Sequence, residues 1–445
     1  MKVLVSAYVC EPGKGSEPGV GWNWVKQIAR FHEVWVITRE NYRAPITQHE
    51  DQAADVHWAY FDLPFCSSHQ FWRKRLWAEH IYYYLWQIGA YFVGKRLSKE
   101  VRFDLAHHVT YGIYWRPSFL ALLPVPFIWG PVGVAESVPK ALQQTFSVRG
   151  RWYERVRAGM QWLAQWDPAV RLTARRAALA LAQTEKTKKR LCELGSRKVQ
   201  VFSHMGTHVW QTWATGCGPP QQLPFRLVSV GRLIEWKGFH LALQAFARFH
   251  KEQPDSEYWL IGEGGERQHL EHLASTLGVS SSVRFLGSLP HSHVLEQIAG
   301  CHALIHPSLH DAAPAVCLEA MAAGLPVICL DIGGPALFVT KETGIKVAVM
   351  TPEQVIPDLT RAMLALARDP ERRRQMGEAA RMRVAEHFAW NKRGDLMMEF
   401  YGQICPNAAP LLPCSGNDSA GNIQEKLSAS LLEGSRNLID SSRSQ

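Results

Sequence analysis

Two pairs of polar side chains and two glycine-rich turns lie at spacings suited to holding a phosphate and a sugar. Arg232 and Lys237 lie five positions apart in the run Gly231 to Gly238 (GRLIEWKG), which follows an apolar stretch. In a turn bounded by glycines they can converge on a diphosphate, the arginine with forked donors and the lysine as a point charge. Asp311 and Glu319 lie eight apart within His306 to Pro335 (HPSLHDAAPAVCLEAMAAGLPVICLDIGGP). Ser308 and Asp311 offer loop and N-cap chemistry, and Pro314 suits a first helical position. Ala315 to Ala323 is rich in helix formers and stops at Gly324, with Pro326 just beyond. Glu319 falls inside that helix, where its carboxylate would meet a sugar or ribose hydroxyl near a phosphate held at the helix start. Gly333-Gly334-Pro335 opens a further helix, so two strand ends feed helix N-termini that favour an anion. Gly262-Glu263-Gly264-Gly265 lets backbone approach a ligand after another strand. The outline is a nucleotide-sugar site.

These groups need rigid elements behind them. Val3–Val5, Val34–Ile37 and Val56–Tyr60 are β-rich runs separated by a helical stretch near Val20–Arg30, a βαβ opening to a parallel sheet. Asp104–His108 and Pro126–Trp129 add two strands. Residues 149–190 read as helical and basic, before a strand at Lys198–Phe202. Phe71–Lys99 is a long helical candidate whose aromatic centre, Ile81 to Trp86, suits either packing on the sheet or a membrane interface. Gly216 to Pro220 (GCGPP) is the strongest break in the chain. A second series follows, with strands at Arg226–Val230, Tyr258–Ile261, Val283–Phe285, Ala303–Ile305 and Val327–Leu330. The expected organisation is an α/β fold with a Rossmann-like domain over 1–205 and a linker at 206–225. A second Rossmann-like domain then covers 226–385, a terminal helix 386–405 and a disordered tail 406–445.

At 445 residues with 47% apolar content, the chain has ample core for two domains. Its nine cysteines include no CxxC pair, which argues against a disulfide framework or zinc ribbon and fits a reducing cytosol. The apolar opening is too short for a signal segment and no stretch is long enough to span a bilayer, so the expected place is the cytoplasm. Residues 1–205 hold 28 Lys and Arg against 16 Asp and Glu, whereas the remainder holds 21 against 24. That asymmetry, with most tryptophans in the basic half, suits either a solvated basic face or an anionic partner. An inner membrane face or a phosphorylated acceptor would serve, rather than nucleic acid.

Taken together, GRLIEWKG, IGEGGE, VRFLGSLP and HPSLHDAAPAVCLEAMAAGLPVI resemble the group 1 retaining glycosyltransferases (family four) in order and spacing. The resemblance covers roughly 1–405. It implies a GT-B fold, two Rossmann-like domains facing across a cleft with a C-terminal helix (His387 to Tyr401) crossing back to the first. It implies that Arg232 and Lys237 neutralise the donor diphosphate, Glu319 binds the ribose, and Leu286 lies beside the base. Gly262, Glu263, Ala313 and Pro314 complete the expected donor site. No metal or cofactor is implied, and the chain has no Asp-x-Asp to hold one. The family's paired acids are Glu, seven residues, Glu. Here Asp311 replaces the first, and Ala312-Ala313-Pro314 stands where glycine-aromatic-glycine usually follows. Pro12 to Gly21 matches the family's glycine-rich first-domain loop, which puts Gly15, Ser16 and Glu17 at the cleft. Trp129 stands near the position of the family's catalytic-site histidine, so His107 or His108 is the candidate for that place, with Glu136 as an acceptor-side group.

The activity implied is transfer of a sugar, with retention, from a nucleoside-diphosphate sugar to a sugar or lipid-linked hydroxyl in cell-surface polysaccharide or glycolipid synthesis. The leaving diphosphate would help deprotonate the acceptor. A GT-B nucleotide-sugar epimerase and a non-catalytic nucleotide-sugar-binding protein are the alternatives, the second motivated by the altered Asp311–Pro314 segment. A nicotinamide dehydrogenase is disfavoured, since Gly13, Gly15 and Gly19 do not give G-x-G-x-x-G.

Overall fold

The computed structural model describes residues 1–14, 16–49, 56–63, 76–207 and 224–406. Two parallel sheets organise it. The first has seven strands in the order β3-β2-β1-β4-β5-β6-β7: β1 (Lys2–Ser6), β2 (Glu33–Thr38), β3 (Val56–Tyr60), β4 (Leu105–His108), β5 (Phe127–Val132), β6 (Leu179–Ala182) and β7 (Val199–Val201). The second has six in the order β10-β9-β8-β11-β12-β13: β8 (Phe225–Val230), β9 (Ser256–Ile261), β10 (Val283–Gly287), β11 (Ala303–His306), β12 (Val327–Leu330) and β13 (Gly344–Val347). The order reverses beside β1 and beside β8, and such switch points open a crevice at the carboxyl ends of parallel strands.

Thirteen principal helices are used below. They are α1 (Ser16–Ala29), α2 (Leu76–Glu100), α3 (Val148–Ala164), α4 (Pro168–Arg176), α5 (Glu185–Leu194), α6 (Phe239–Glu252) and α7 (Arg267–Thr276), then α8 (His291–Ala299), α9 (Ala315–Ala322), α10 (Gly333–Phe338), α11 (Pro352–Arg368), α12 (Pro370–His387) and α13 (Trp390–Ile404). Helix α13 returns to the first domain. Trp390 meets Trp24 edge-on at 5.5 Å, Asp395 pairs with Arg30 at 3.3 Å, and the Tyr401 hydroxyl bonds His107 Nδ1 at 2.7 Å.

Several sequence expectations need correction. Residues 149–190 are not one helical block, because β6 interrupts them. Leu179-Ala-Leu-Ala182 has strong helix propensity, yet it fills a slot between β5 and β7 and is buried at all four positions, so tertiary context overrides propensity. Strand β13, pairing with β12 from Gly344 to Val347, was not expected. Helix α1 begins at Ser16, which places Glu17 in its first turn rather than in a loop. In α2 the aromatic centre turns inward: Tyr82, Tyr83 and Trp86 are core, and the outward row is Ile81, Leu85, Ile88 and Phe92.

The division between domains is not clean in space. Val138, Leu142 and Phe146 of the first domain are buried in the apolar cluster of α6 and the second sheet, with Leu241, Phe246 and Ile305. The first sheet ends at Val201 and the second starts at Phe225; most of the expected linker, 208–223, lies outside the described residues, as does the expected tail from 407 onward.

Candidate functional site

The site forms where β8, β11 and β12 end. After β8 a single 3₁₀ turn, Glu235–Lys237, leads through Gly238 into α6. Gly238 has φ of 69°, and a Cβ there would lie 2.1 Å from the Pro307 carbonyl oxygen. Only glycine fits that left-handed position at that approach. The adjoining Leu309 N–H donates to the Trp236 carbonyl at 2.8 Å. The lysine turn and the loop after β11 are thereby fixed to one another.

That docking brings Lys237 Nζ to 2.6 Å from Asp311 Oδ2, and His306 Nε2 to 3.0 Å from the same oxygen. Burial alone would raise the Asp311 carboxyl pKa, but the Lys237 ammonium and the His306 hydrogen bond outweigh it and hold the carboxyl far below the usual range. Burial also lowers the His306 pKa. Asp311 is therefore not the N-cap of α9. That position belongs to Pro314, so α9 starts at Ala315, one residue after the expected first helical position, and Pro314 provides no side-chain cap.

Glu319 lies on α9 with its Oε1 2.8 Å from His291 Nε2 of α8. The Glu319 hydrogen bond raises the His291 pKa above its ordinary value despite partial burial. The linkage sign is that of a histidine gaining a partner: the contact stabilises fully below the unfolded value of about 6.5 and fades as pH rises through the folded value. Proton NMR titration is expected to show His291 ionising above about 6.5 and moving back toward that value in Glu319→Gln. An unmoved His291 in that variant contradicts the pairing.

Arg232 is exposed, and among the described residues no carboxylate pairs with it. It stands beside the Lys237 turn as an available cation. Glu263 is instead engaged by Arg267 of α7, beside Gly287 at the end of β10. Gly262 donates its N–H to the Gly287 carbonyl at 2.8 Å, drawing the ends of β9 and β10 together next to Leu286. At the last strand end, the Gly334 N–H donates to the Asp311 carbonyl at 2.7 Å. The α10 start therefore braces the Asp311 loop, and this N–H is committed rather than turned to an anion as expected.

On the first domain the expected residues separate. Gly15 lies outside the described residues and Ser16 opens α1. Glu17 accepts from the Gly112 N–H at 3.0 Å, and burial raises its pKa. His108, expected at the cleft, is 1% exposed and has Tyr83 Oη 3.3 Å from Nε2 and Ser6 Oγ 3.2 Å from Nδ1. Burial takes its pKa down to about 3. His107 is held between Tyr401 and the Gly130 carbonyl, with its pKa lowered to about 4 by burial. Both are neutral core residues at pH 7, because β4 is central and its side chains meet α2 and α13 rather than the crevice.

Glu136 does reach the crevice. A cavity of about 390 Å³ between the sheets is lined by Glu136, Thr184 and Lys186 from one side and His310, Ile332 and Gly333 from the other. Glu136 takes the Thr184 hydroxyl on one oxygen, and its other oxygen is buried without a hydrogen-bond partner among the described residues. The residues that sequence reasoning missed are His306 and His291, partners of the two acids; a lone histidine carries no local signal of such pairing. Among the described residues, no three His, Cys, Asp or Glu side chains gather as a metal-ligand set, and no helix is long and apolar enough to cross a membrane.

Residues 220–383 match the family model described as glycosyl transferases group 1. Two curated relatives are similar over part of the chain. A glycogen synthase of Mycobacterium tuberculosis is 31% identical over 179 residues, 40% of this chain and 42% of the relative. The lipopolysaccharide core biosynthesis glycosyltransferase LpsE of Rhizobium meliloti is 32% identical over 164 residues, 37% of this chain and 45% of the relative. The chain thus spans less than half the length of these curated relatives. Solved structures match far more of it. The sucrose-phosphate synthase of Thermosynechococcus elongatus superposes with a TM-score of 0.62 at 17% identity over 92% of this chain and all of that one. Anabaena HepE in complex with UDP gives 0.59 at 17% over 91% and 100%.

Proposed function

We propose, for a chain whose second domain belongs to the group 1 glycosyltransferases and whose fold is GT-B, that it moves a sugar from a nucleoside-diphosphate sugar to a hydroxyl acceptor with retention. The observation that carries this reading is the convergence of Lys237, Asp311 and His306 on one strand-end crevice, with Arg232 free beside it and Glu319 on the next helix. The Lys237 ammonium, held against Asp311, and the exposed Arg232 guanidinium suit the charge that develops on a leaving nucleoside diphosphate, without requiring a metal. In the step itself the anomeric carbon–phosphate oxygen bond breaks and a bond to the acceptor oxygen forms on the same face. The acceptor proton passes to the departing diphosphate. Glu319 holds the ribose, Leu286 flanks the base, and Asp311 meets the sugar, poised by Lys237 and His306.

The acceptor enters from the first domain, where the unpartnered oxygen of Glu136 receives one of its hydroxyls. LpsE, named for lipopolysaccharide core biosynthesis, supports an acceptor of the glycolipid or polysaccharide class. The test is NMR of UDP-, GDP- and ADP-sugars incubated with the protein in EDTA. One donor should release free sugar slowly in the anomeric form of the donor. Glu136→Gln should keep this hydrolysis and lose transfer to acceptor by roughly tenfold, the scale of one tuned hydrogen bond. Isomerised donor would instead support an epimerase. Binding without turnover under all acceptors would support a non-catalytic nucleotide-sugar-binding protein.

A further inference from the structure

Helix α3 is built inside out. Glu154, Arg157 and Gln161 recur at helical spacing and face the protein. Arg157 donates to the Glu136 carbonyl at 2.6 Å and Gln161 to the Val134 carbonyl at 3.0 Å. The opposite stripe, Val148, Trp152, Val156 and Leu163, points at solvent, and Trp166 continues it past the helix end. Trp152, Leu163 and Trp166 are each more than 60% exposed. A surface helix normally buries its apolar face, and an outward apolar row marks a surface that meets something else.

The charges around the stripe identify what that is. Residues 148–176 contain seven arginines and two carboxylates. Of these two, Glu154 is buried and Asp167 caps α4, so neither offsets the arginines toward solvent. Arg149 and Arg155 flank the stripe, and Arg175 and Arg176 are exposed at the end of α4. Tryptophans in an apolar row rimmed by arginine suit the headgroup region of an anionic bilayer. A second copy of this face would set like charges against each other, which disfavours self-association through it.

We propose that α3 and the following corner to α4 dock this protein on an anionic lipid surface, lying in its plane with the Trp152–Leu163 row inserted. The inner side of the same helix reaches the site: Tyr153 stacks on Trp236 at 5.2 Å, and Glu154 lies 3.4 Å from His310, next to Asp311. Docking therefore places the crevice beside the membrane surface. Delivery of a lipid-linked acceptor there rests on the transferase reading; docking itself does not.

The test is co-sedimentation of the full chain with vesicles of phosphatidylcholine alone and of phosphatidylcholine with phosphatidylglycerol at about one lipid in three. The protein should partition onto the anionic vesicles and much less onto the neutral ones. Trp152→Glu with Leu163→Glu should weaken that binding by at least about tenfold, because charge replaces inserted apolar area, and Arg149→Ala with Arg155→Ala should weaken it on anionic vesicles only. Both variants should keep the wild-type response to nucleoside diphosphates, so a failure here is distinguishable from failure of the donor site. Three results would overturn the proposal: no binding to either vesicle, unchanged binding of the Trp152 and Leu163 variant, or a wild-type dimer that the same variant dissociates.

Discussion

Lys237→Ala is expected to lower sugar transfer by at least tenfold, or about 1.4 kcal/mol in the barrier, and to weaken nucleoside-diphosphate binding with it. In the structure the ammonium lies 2.6 Å from Asp311 Oδ2 and neutralises it. In the proposed reaction it also supplies the cation that a leaving diphosphate needs. Removing it leaves a largely buried carboxylate with only His306, whose own pKa burial lowers, as partner, which costs roughly 3 kcal/mol of stability. The pH dependence gives a separate signature. A carboxyl held below its unfolded value, about 4, contributes stability that is present above that pH and lost as pH falls toward the folded value. Thermal melts of the wild type should therefore lose stability on acidification below about pH 4, and Lys237→Ala should show a shallower acid limb. Unchanged donor affinity and rate in the variant would remove the diphosphate role from this lysine.

Gly238→Ala should be nearly as damaging, although the residue has no functional group. A side chain at φ of 69° carries left-handed strain, and its Cβ would fall 2.1 Å from the Pro307 carbonyl oxygen. The turn bearing Lys237 must then separate from the loop bearing Asp311. A stability loss of at least about 2 kcal/mol is expected, with donor affinity falling as in Lys237→Ala. Gly278 provides the control. It has φ of 71° but nothing within 4 Å of its added Cβ. Gly278→Ala should incur the backbone strain alone, about 1 kcal/mol, and leave donor binding intact. Equal donor binding in the two variants would show that the close approach at Gly238 does not position the site.

Much of this arrangement is legible in residue order. Apolar runs ending in glycine, as at Val230-Gly231 and Ile261-Gly262, locate strand ends, and the spacing of Lys237, Asp311 and Glu319 brings the right elements together. What was not legible depends on contacts distant in sequence. Leu179–Ala182 reads as helix until β5 and β7 enclose it. Asp311 looks like a cap until Lys237, 74 positions away, takes its oxygen. His108 looks like a strand-end catalyst until Tyr83 and Ser6 satisfy it from elements on either side. The polar inner face of α3 is the same kind of case, since its amphipathic pattern is plain but not which side faces out.

The most direct measurement is calorimetric titration of the purified protein with UDP, GDP and ADP in EDTA, repeated on Lys237→Ala. One diphosphate is expected to bind the wild type without divalent metal and the variant at least about tenfold more weakly, as loss of a fixed cation requires. If no diphosphate binds, or if the variant binds as tightly as the wild type, the strand-end crevice is not a donor site.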